Sequence, residues 1–494
     1  MNEGSFSEPA YEALLQEIFS RFPSVQRAGF TVNAYKPGLE GMQAFEEALG
    51  HPSRKFRTIH VAGTNGKGSV ANMLASALAS CGIRTGLYTS PHLVDFRERM
   101  LVAGLCLASE GNVSPGAKKI ADAPGNTFPS TAKRIADAPE GVVSSSLVPK
   151  EYVFDFLTEW RPYFMEQRLS FFEITTGLAF KWFADSGVEV AVVEVGLGGR
   201  LDSTNILEKP SLTIVTTIGL DHCALLGNTL PEIAAEKAGI FKPGVPALVG
   251  ESQEATAQVF KEKAWMNCPL TFADHVRPSL WHRHAEILKK MDLTAPVQKK
   301  NLRTVLAAVD ILKDLPPFQA LNNAEAVLDG IEHTARNMQF HGRWERLSAQ
   351  PYVLADIGHN AHALQYNFAQ LEAMVQSGQF SSLIIVYGIM ADKDLDAILP
   401  LMPRDATYIF TTPDTPRALP AGEILRRFNE FRGGASTRAF FSSSVRQAVQ
   451  MAIQLAQNLG GPASRSASAE NLAPTLIYIG GSTFVVAEAV PIFR

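Results

Sequence analysis

The chain has 494 residues, 46% of them hydrophobic, and its 45 Lys and Arg against 49 Asp and Glu leave a net charge of -4; that length exceeds one hydrophobic core and predicts two or three domains. The mild acidity argues against nucleic acid as the main partner, and no apolar run approaches the roughly 20 residues of a membrane span. Residues 1–8 lack a basic region followed by an apolar one, and Cys81, Cys106, Cys223 and Cys268 lie far apart without a Cys-x-x-Cys pair, so a cytoplasmic protein with reduced thiols, no membrane attachment, no zinc site and no disulfide framework is expected.

In chain order, residues 58–62 read as a buried strand running into a glycine-rich turn, and 69–81 as an alanine-rich helix. Strands follow at 83–89, 188–195, 212–218 and 245–249, short runs rich in β-branched residues. Between them, 151–167 and 172–185 carry apolar residues at three- and four-residue spacing, and 231–238 is a short helix stopped by Gly239. A second alternation starts near Arg343, with strands at 352–355, 383–387, 406–411 and 476–479 and helices at 361–374, 395–401, 421–431 and 445–458. This rhythm predicts an α/β chain, with a mostly parallel sheet under helices in residues 1–340 and a smaller α/β domain in 341–494. One stretch interrupts it. Residues 106–148 are rich in Ala, Ser, Pro and Gly, and Ala-Lys-Lys-Ile-Ala-Asp-Ala-Pro at 117–124 returns as Ala-Lys-Arg-Ile-Ala-Asp-Ala-Pro at 132–139. Two copies with few aromatics predict a flexible surface insertion rather than a domain. Residues 460–470 have the same character.

Chemistry is expected where strands end, because ligands of open parallel sheets bind at the carboxyl edge. Residues 60–69 read His-Val-Ala-Gly-Thr-Asn-Gly-Lys-Gly-Ser, and Gly63, Thr64, Asn65, Gly66, Lys67, Gly68 and Ser69 form a loop whose backbone N–H groups and lysine suit a nucleotide's phosphates. Val61 stands where the common nucleotide loop has its first glycine, so by itself the loop names a nucleotide and not a reaction; an ordinary glycine-rich turn is the plainer alternative. Ser90, Glu194 and His222 each follow or end an apolar strand on the same rim. A carboxylate there needs a pair or a cation, and a nucleotide's Mg2+ supplies one, so the three are candidate metal ligands. Taken singly, each also has a structural explanation: a turn cap for Ser90, an arginine salt bridge for Glu194, a core histidine for His222. Lys237, near the end of its short helix, has as its plain explanation a solvated lysine favoured by the helix dipole, and any functional role for it depends on the likeness that follows.

Together these motifs resemble the folylpolyglutamate synthase and dihydrofolate synthase family of the Mur ligase superfamily: Gly63 to Ser69, Ser90-Pro91-His92-Leu93, Glu194-Val195-Gly196-Leu197-Gly198-Gly199-Arg200-Leu201-Asp202, Leu220-Asp221-His222 and Glu236-Lys237-Ala238-Gly239. Gln298 to Asn301, Gly342-Arg343 and Asp356-Ile357-Gly358-His359-Asn360 continue the likeness in order, from about Tyr35 to the C-terminus, the repeat-bearing segment excepted. The resemblance implies a Mur-ligase-like N-terminal P-loop ATPase domain and a smaller Rossmann-like C-terminal glutamate-ligase domain. It also implies an ATP-dependent amide ligase that adds L-glutamate to dihydropteroate, to reduced folates, or to both, through an acyl phosphate. A monofunctional folylpolyglutamate synthase, a cell-wall Mur ligase and a non-catalytic nucleotide switch are the alternatives; the few residues ahead of the loop disfavour the Mur ligase, and the presence of Lys67, Glu194, His222 and Lys237 together disfavours the switch.

Residue by residue, the resemblance assigns Gly63 to Ser69 to the phosphates, Asn301 to the adenine, and Arg343, Asp356 and His359 to nucleotide contacts from the second domain, across a hinge. It assigns Mg2+ to Ser90, Glu194 and His222, with Lys237 carbamylated by CO2 as a further ligand. Lys67, His222 and Lys237 are the catalytic set, and a requirement for a monovalent cation is left open. Lys36, Pro37, Gly38, Leu39, Pro91, His92, Ser170, Phe171 and Phe172 fall where the family contacts the folate; for the two phenylalanines core packing explains the pattern equally well. Glu194 is preferred to Glu173 as the metal carboxylate because it ends a strand. A monomer is expected.

Overall fold

Six successive residues, Arg57–Ala62 (β1), place every side chain after the first out of solvent, which is the pattern of a strand covered on both faces. The computed structural model describes residues 5–22, 38–106, 141–265, 267–434, 438–459 and 473–494; Lys36, Pro37 and both repeats of the interrupting segment lie outside them, as does 460–470. In the first unit, Met1–Asp292 with Gln298–Phe340, the remaining strands are Thr85–Tyr88 (β2), Met100–Leu105 (β3), Val143–Leu147 (β4), Val190–Glu194 (β5), Leu212–Val215 (β6), Ala247–Val249 (β7) and Leu270–Phe272 (β8). They form one sheet in the order β4-β3-β2-β5-β1-β6-β7-β8. Only the β2–β3 and β3–β4 pairs are antiparallel.

Register fixes the site. Val61 pairs with Glu194 and Ala62 with Val215, while Tyr88 pairs with Val193. The carboxyl ends of β2, β5, β1 and β6 therefore finish in one row, and the residues that follow them share a rim. Helix Lys67–Ser80 leaves this rim almost wholly buried, as its alanines and serines permit close packing. Helices Lys150–Gln167 and Phe171–Asp185 contribute to an aromatic core in which Phe45 meets Phe156, Trp160, Tyr163 and Phe164. A Cβ on Gly177 would overlap the Phe45 ring, so that close approach needs glycine.

The antiparallel edge was not expected. The polar stretch Val-Ser-Ser-Ser-Leu of β4 has the composition of a loop, yet pairing with β3 holds it in the sheet, and Cys106 and Gly141 exchange backbone bonds with Val142 and Cys106. The expected insertion at 106–148 thus gives up its ends to regular structure, leaving 107–140. Cys106 and Cys268 are buried and Cys81 and Cys223 half-buried, all four as free thiols.

The second unit, Leu293–Val297 with His341–Arg494, has strands Glu345–Ala349 (β9), Tyr352–Asp356 (β10), Ser382–Tyr387 (β11), Thr407–Thr411 (β12), Ala439–Ser442 (β13) and Thr475–Gly480 (β14). Their order is β13-β12-β11-β14-β10-β9, parallel except for β9. Its core packs Tyr387, Tyr408, Phe410, Phe428 and Tyr478, and the buried Tyr408 hydroxyl donates to Pro403 O at 2.6 Å. Among the described residues no helix is long and apolar enough to cross a membrane.

Candidate active site

The loop after β1 turns on two glycines, Gly63 at φ +145° and Gly66 at φ +86°, conformations that L side chains avoid. Thr64 N–H donates to Thr217 O at 2.7 Å. The Thr64 hydroxyl donates to Gly219 O and accepts the Gly219 N–H, both at 3.1 Å. Thr216 and Thr217 in turn donate their hydroxyls to Asn65 O, at 2.7 and 3.1 Å. The loop is thereby pinned to the segment that follows β6, which leads to Asp221 and His222. Lys67 opens the helix, and its ammonium donates to the carbonyls of Gly63 (3.1 Å) and Thr64 (3.2 Å). It is held over the loop by the loop's own backbone.

Helix Gln298–Leu312 closes the far side of the loop. Gln298 donates to the Ser69 hydroxyl at 3.4 Å, and Asn301 donates to Gln298 Oε1 at 2.8 Å. A Cβ at position 66 would stand 2.5 Å from Asn301 Oδ1. Asn301, expected to meet adenine, is buried against Gly66 and Gln298, where it supports the phosphate loop.

On the rim, Ser90 N–H donates to Glu194 Oε2 at 3.1 Å, and Glu194 is 4% exposed. The loop after β2 and the end of β5 thus meet as the register requires. His222 adopts φ +53° at the head of the turn Cys223–Leu226, with its own N–H on Asp221 Oδ1 at 2.9 Å.

Lys237 does not fit the plainer alternative of a solvated lysine. It is 4% exposed, and burial together with the nearby Lys67 charge brings its pKa down to about 7, against the pull of Asp221 and Asp202. A solvated helix-end lysine would show none of this. Close glycine contacts build the pocket: a Cβ on Gly199 would stand 2.8 Å from Glu236 O and 2.9 Å from Lys237 O. Arg200 N–H donates to Glu236 O at 3.0 Å, and the Asn205 amide bridges Arg200 O and Gly239 O at 3.0 and 3.1 Å. Asp202 holds this loop from inside, accepting N–H groups from Leu197 (2.8 Å) and Thr204 (3.0 Å). Burial raises its pKa. Sequence reasoning gave Asp202 and Asp221 no role of their own; the signal available was their place inside the two motifs.

Among the expected folate contacts, Gly38 and Leu39 lie just before helix Glu40–Ala48. Ser170 caps helix Phe171–Asp185 in a reciprocal box with Glu173, at 3.2 and 2.7 Å. Both side chains serve the helix end. Phe171 is buried, its ring 5.5 Å from Phe19 and 6.0 Å from Phe96 between centroids, so it is core and not one wall of an open slot. Phe172 sits against Gly196, where a Cβ would overlap its ring. Pro91 is exposed and His92 half-buried.

Arg343, Asp356 and His359 belong to the second unit. Asp356 ends β10 and accepts from Trp344 N–H (2.9 Å), Gly358 N–H (2.8 Å) and the Asn367 amide (2.7 Å). Burial raises its pKa, with Arg343 opposing. This carboxylate organises its own loop, a role beyond the nucleotide contact expected of it. His359 Nδ1 lies 3.1 Å from Ile357 O.

Residues 342–460 match the family described as Mur ligase, glutamate ligase domain. The chain is 31% identical over 402 residues to a probable bifunctional folylpolyglutamate synthase/dihydropteroate synthase of Haloferax volcanii, covering 77% of this chain but 42% of that protein. It is 30% identical over 408 residues to the dihydrofolate synthase/folylpolyglutamate synthase of Bacillus subtilis, covering 79% of this chain and 84% of that one. The folylpolyglutamate synthase of Mycobacterium tuberculosis, solved with ADP, superimposes with a TM-score of 0.74 over 98% of both chains at 24% identity, a likeness of fold.

Proposed function

The chain belongs to the folylpolyglutamate synthase and dihydrofolate synthase family of ATP-dependent ligases, and we propose that it joins L-glutamate to dihydropteroate and to the γ-carboxylate of reduced folates. The observation that carries this reading is the row formed by the ends of four adjacent strands: the Lys67 loop after β1, Ser90 after β2, Glu194 at the end of β5 and the threonine segment after β6 that leads to His222. Phosphoryl transfer asks chiefly for positioning and for positive charge around the transferred group.

The loop N–H groups and Lys67 hold the β- and γ-phosphates. An acceptor carboxylate attacks the γ-phosphorus, ADP leaves, and an acyl phosphate results. The glutamate amine then attacks the acyl carbon, and phosphate departs from the tetrahedral intermediate as the amide forms. The donors on the rim fit a divalent cation in kind: a hydroxyl on Ser90, the buried Glu194 carboxylate that accepts the Ser90 backbone N–H, and the His222 imidazole as a nitrogen donor. Mg2+ bound there supplies neutralisation of the phosphate charge. Lys237, nearly closed from water and half neutral near pH 7, has the free amine that carbamylation by CO2 requires, and the product is an anion able to serve as a further ligand.

The test is ADP release with dihydropteroate and tetrahydrofolate offered separately, each with and without glutamate. Release that needs both an acceptor and glutamate is expected with either folate. Release with only one acceptor restricts the enzyme to a single reaction, and release that needs neither acceptor nor glutamate refutes the proposal.

A further inference from the structure

Arg99 takes no part in the reaction as described, yet it occupies a singular place. Its carbonyl accepts the Thr89 N–H at 3.0 Å, which fixes it at the mouth of the loop joining β2 to β3. That loop carries Ser90, Pro91 and His92. The Arg99 side chain is 3% exposed. Its guanidinium carbon lies 5.4 Å from the centre of the Phe171 ring, its Nε donates to His92 Nδ1 at 2.9 Å, a further side-chain hydrogen bond joins it to Tyr88, and Tyr88, Glu194 and Glu98 act on it through the interior.

Chemistry narrows what this contact means. A guanidinium Nε–H can only donate, so His92 Nδ1 must supply a lone pair and the remaining ring proton must sit on Nε2. The ring stands edge-on to Phe96, with centroids 6.2 Å apart and planes at 80°, so both its tautomer and its tilt are set from inside the protein. Glu98 immobilises the rest of the loop by accepting the N–H groups of Leu93 (2.6 Å), Val94 (3.1 Å) and Asp95 (2.9 Å). A buried cation is an expensive way to fill space. An arginine spent here serves orientation.

We propose that Arg99 is a positioning residue for the acceptor substrate, acting through His92: it fixes the tautomer and tilt of the imidazole on the loop that the family likeness sets beside the folate, and so governs acceptor affinity without governing ATP affinity. This rests on the ligase reading above. Arg99→Met, His92→Phe and the double variant are compared with the native enzyme by steady-state ADP release, varying acceptor and ATP in turn, alongside 15N spectra of the imidazole and thermal melting. Loss of one charge-assisted hydrogen bond should raise the acceptor KM about tenfold in Arg99→Met, with the ATP KM changed less than about twofold, and the double variant should add little to either single one.

In the native protein His92 should give the spectrum of an Nε2–H tautomer, and in Arg99→Met a tautomer mixture. A folded Arg99→Met enzyme with an unchanged acceptor KM, additive effects in the double variant, or equal losses toward ATP would overturn the proposal. Where Arg99→Met fails to fold, the native spectrum decides: an Nδ1–H tautomer refutes it. Failure of the ligase reading looks different, as native turnover indifferent to folate with the Nε2–H tautomer still in place.

Discussion

Replacing Gly66 by alanine should damage the phosphate loop twice over. Gly66 sits at φ +86°, and an L residue held in that region pays about 1–2 kcal/mol. The added methyl would also stand 2.5 Å from Asn301 Oδ1 and 3.4 Å from its Cγ. Asn301 cannot swing into solvent, because it is buried and its amide is engaged with Gln298 Oε1 at 2.8 Å. Yielding to the methyl therefore strains or breaks that bond, a further loss of about 0.5–1.5 kcal/mol, and the two effects together come to about 1.5–3.5 kcal/mol. Urea unfolding of Gly66→Ala measures the sum, and the double variant with Asn301→Ala separates its parts. With Oδ1 gone the contact vanishes while the backbone penalty stays, so the substitutions should be non-additive by about 1 kcal/mol in the favourable direction. Strict additivity, or a Gly66→Ala loss below about 0.5 kcal/mol, would refute the account of how the loop is held.

Three further outcomes follow from the site. Lys67→Met should fold normally and lose activity by at least about a thousandfold, since it removes the one cation the loop holds over the phosphates; amide product at native rate would contradict the mechanism. Lys237→Met tests the buried amine. Its folded pKa of about 7 lies below the ordinary 10.5, so between those values the unfolded chain binds more protons and native stability rises with pH, the penalty being complete below pH 7. The variant escapes that penalty; its stability advantage should exceed about 1 kcal/mol at pH 6 and shrink toward pH 10, and an advantage independent of pH would be the contrary result. Gly199→Ala forces apart two backbones rather than side chains, and should lower kcat about tenfold through displacement of Lys237 with little change in the KM for ATP; an unchanged kcat in a merely less stable protein would show the contact to be structural alone.

Much of this was legible in the residues themselves. The phosphate loop announced itself because glycines and one lysine follow an apolar strand, and the meeting of Ser90 with Glu194 was implied by polar residues ending apolar runs. Other features depend on what folding brings together. The serines of β4 carry no strand signal; they pair because β3 offers an edge. Lys237 taken locally looks like an exposed helix end, and only the family likeness gave it a role, since nothing local reveals that Gly199 will let another loop close over it. Phe171 and Phe172 are equivalent in sequence, yet one is core and the other abuts Gly196. Arg99 carries no signal of its own in the sequence, because its bond to His92 exists only once the loop has folded.

The strand order also governs how the enzyme can be born. β1 and β2, both complete by Tyr88, are not neighbours; β5, which ends at Glu194, wedges between them, and β6 arrives later still. A nascent chain therefore leaves the ribosome with two apolar ribbons that must wait for a third before either gains its proper partner on that side, a long-range closure that is slow and prone to clumping. A chain cut short of Val215 would lack all or part of β6 and so leave one side of β1 incompletely paired.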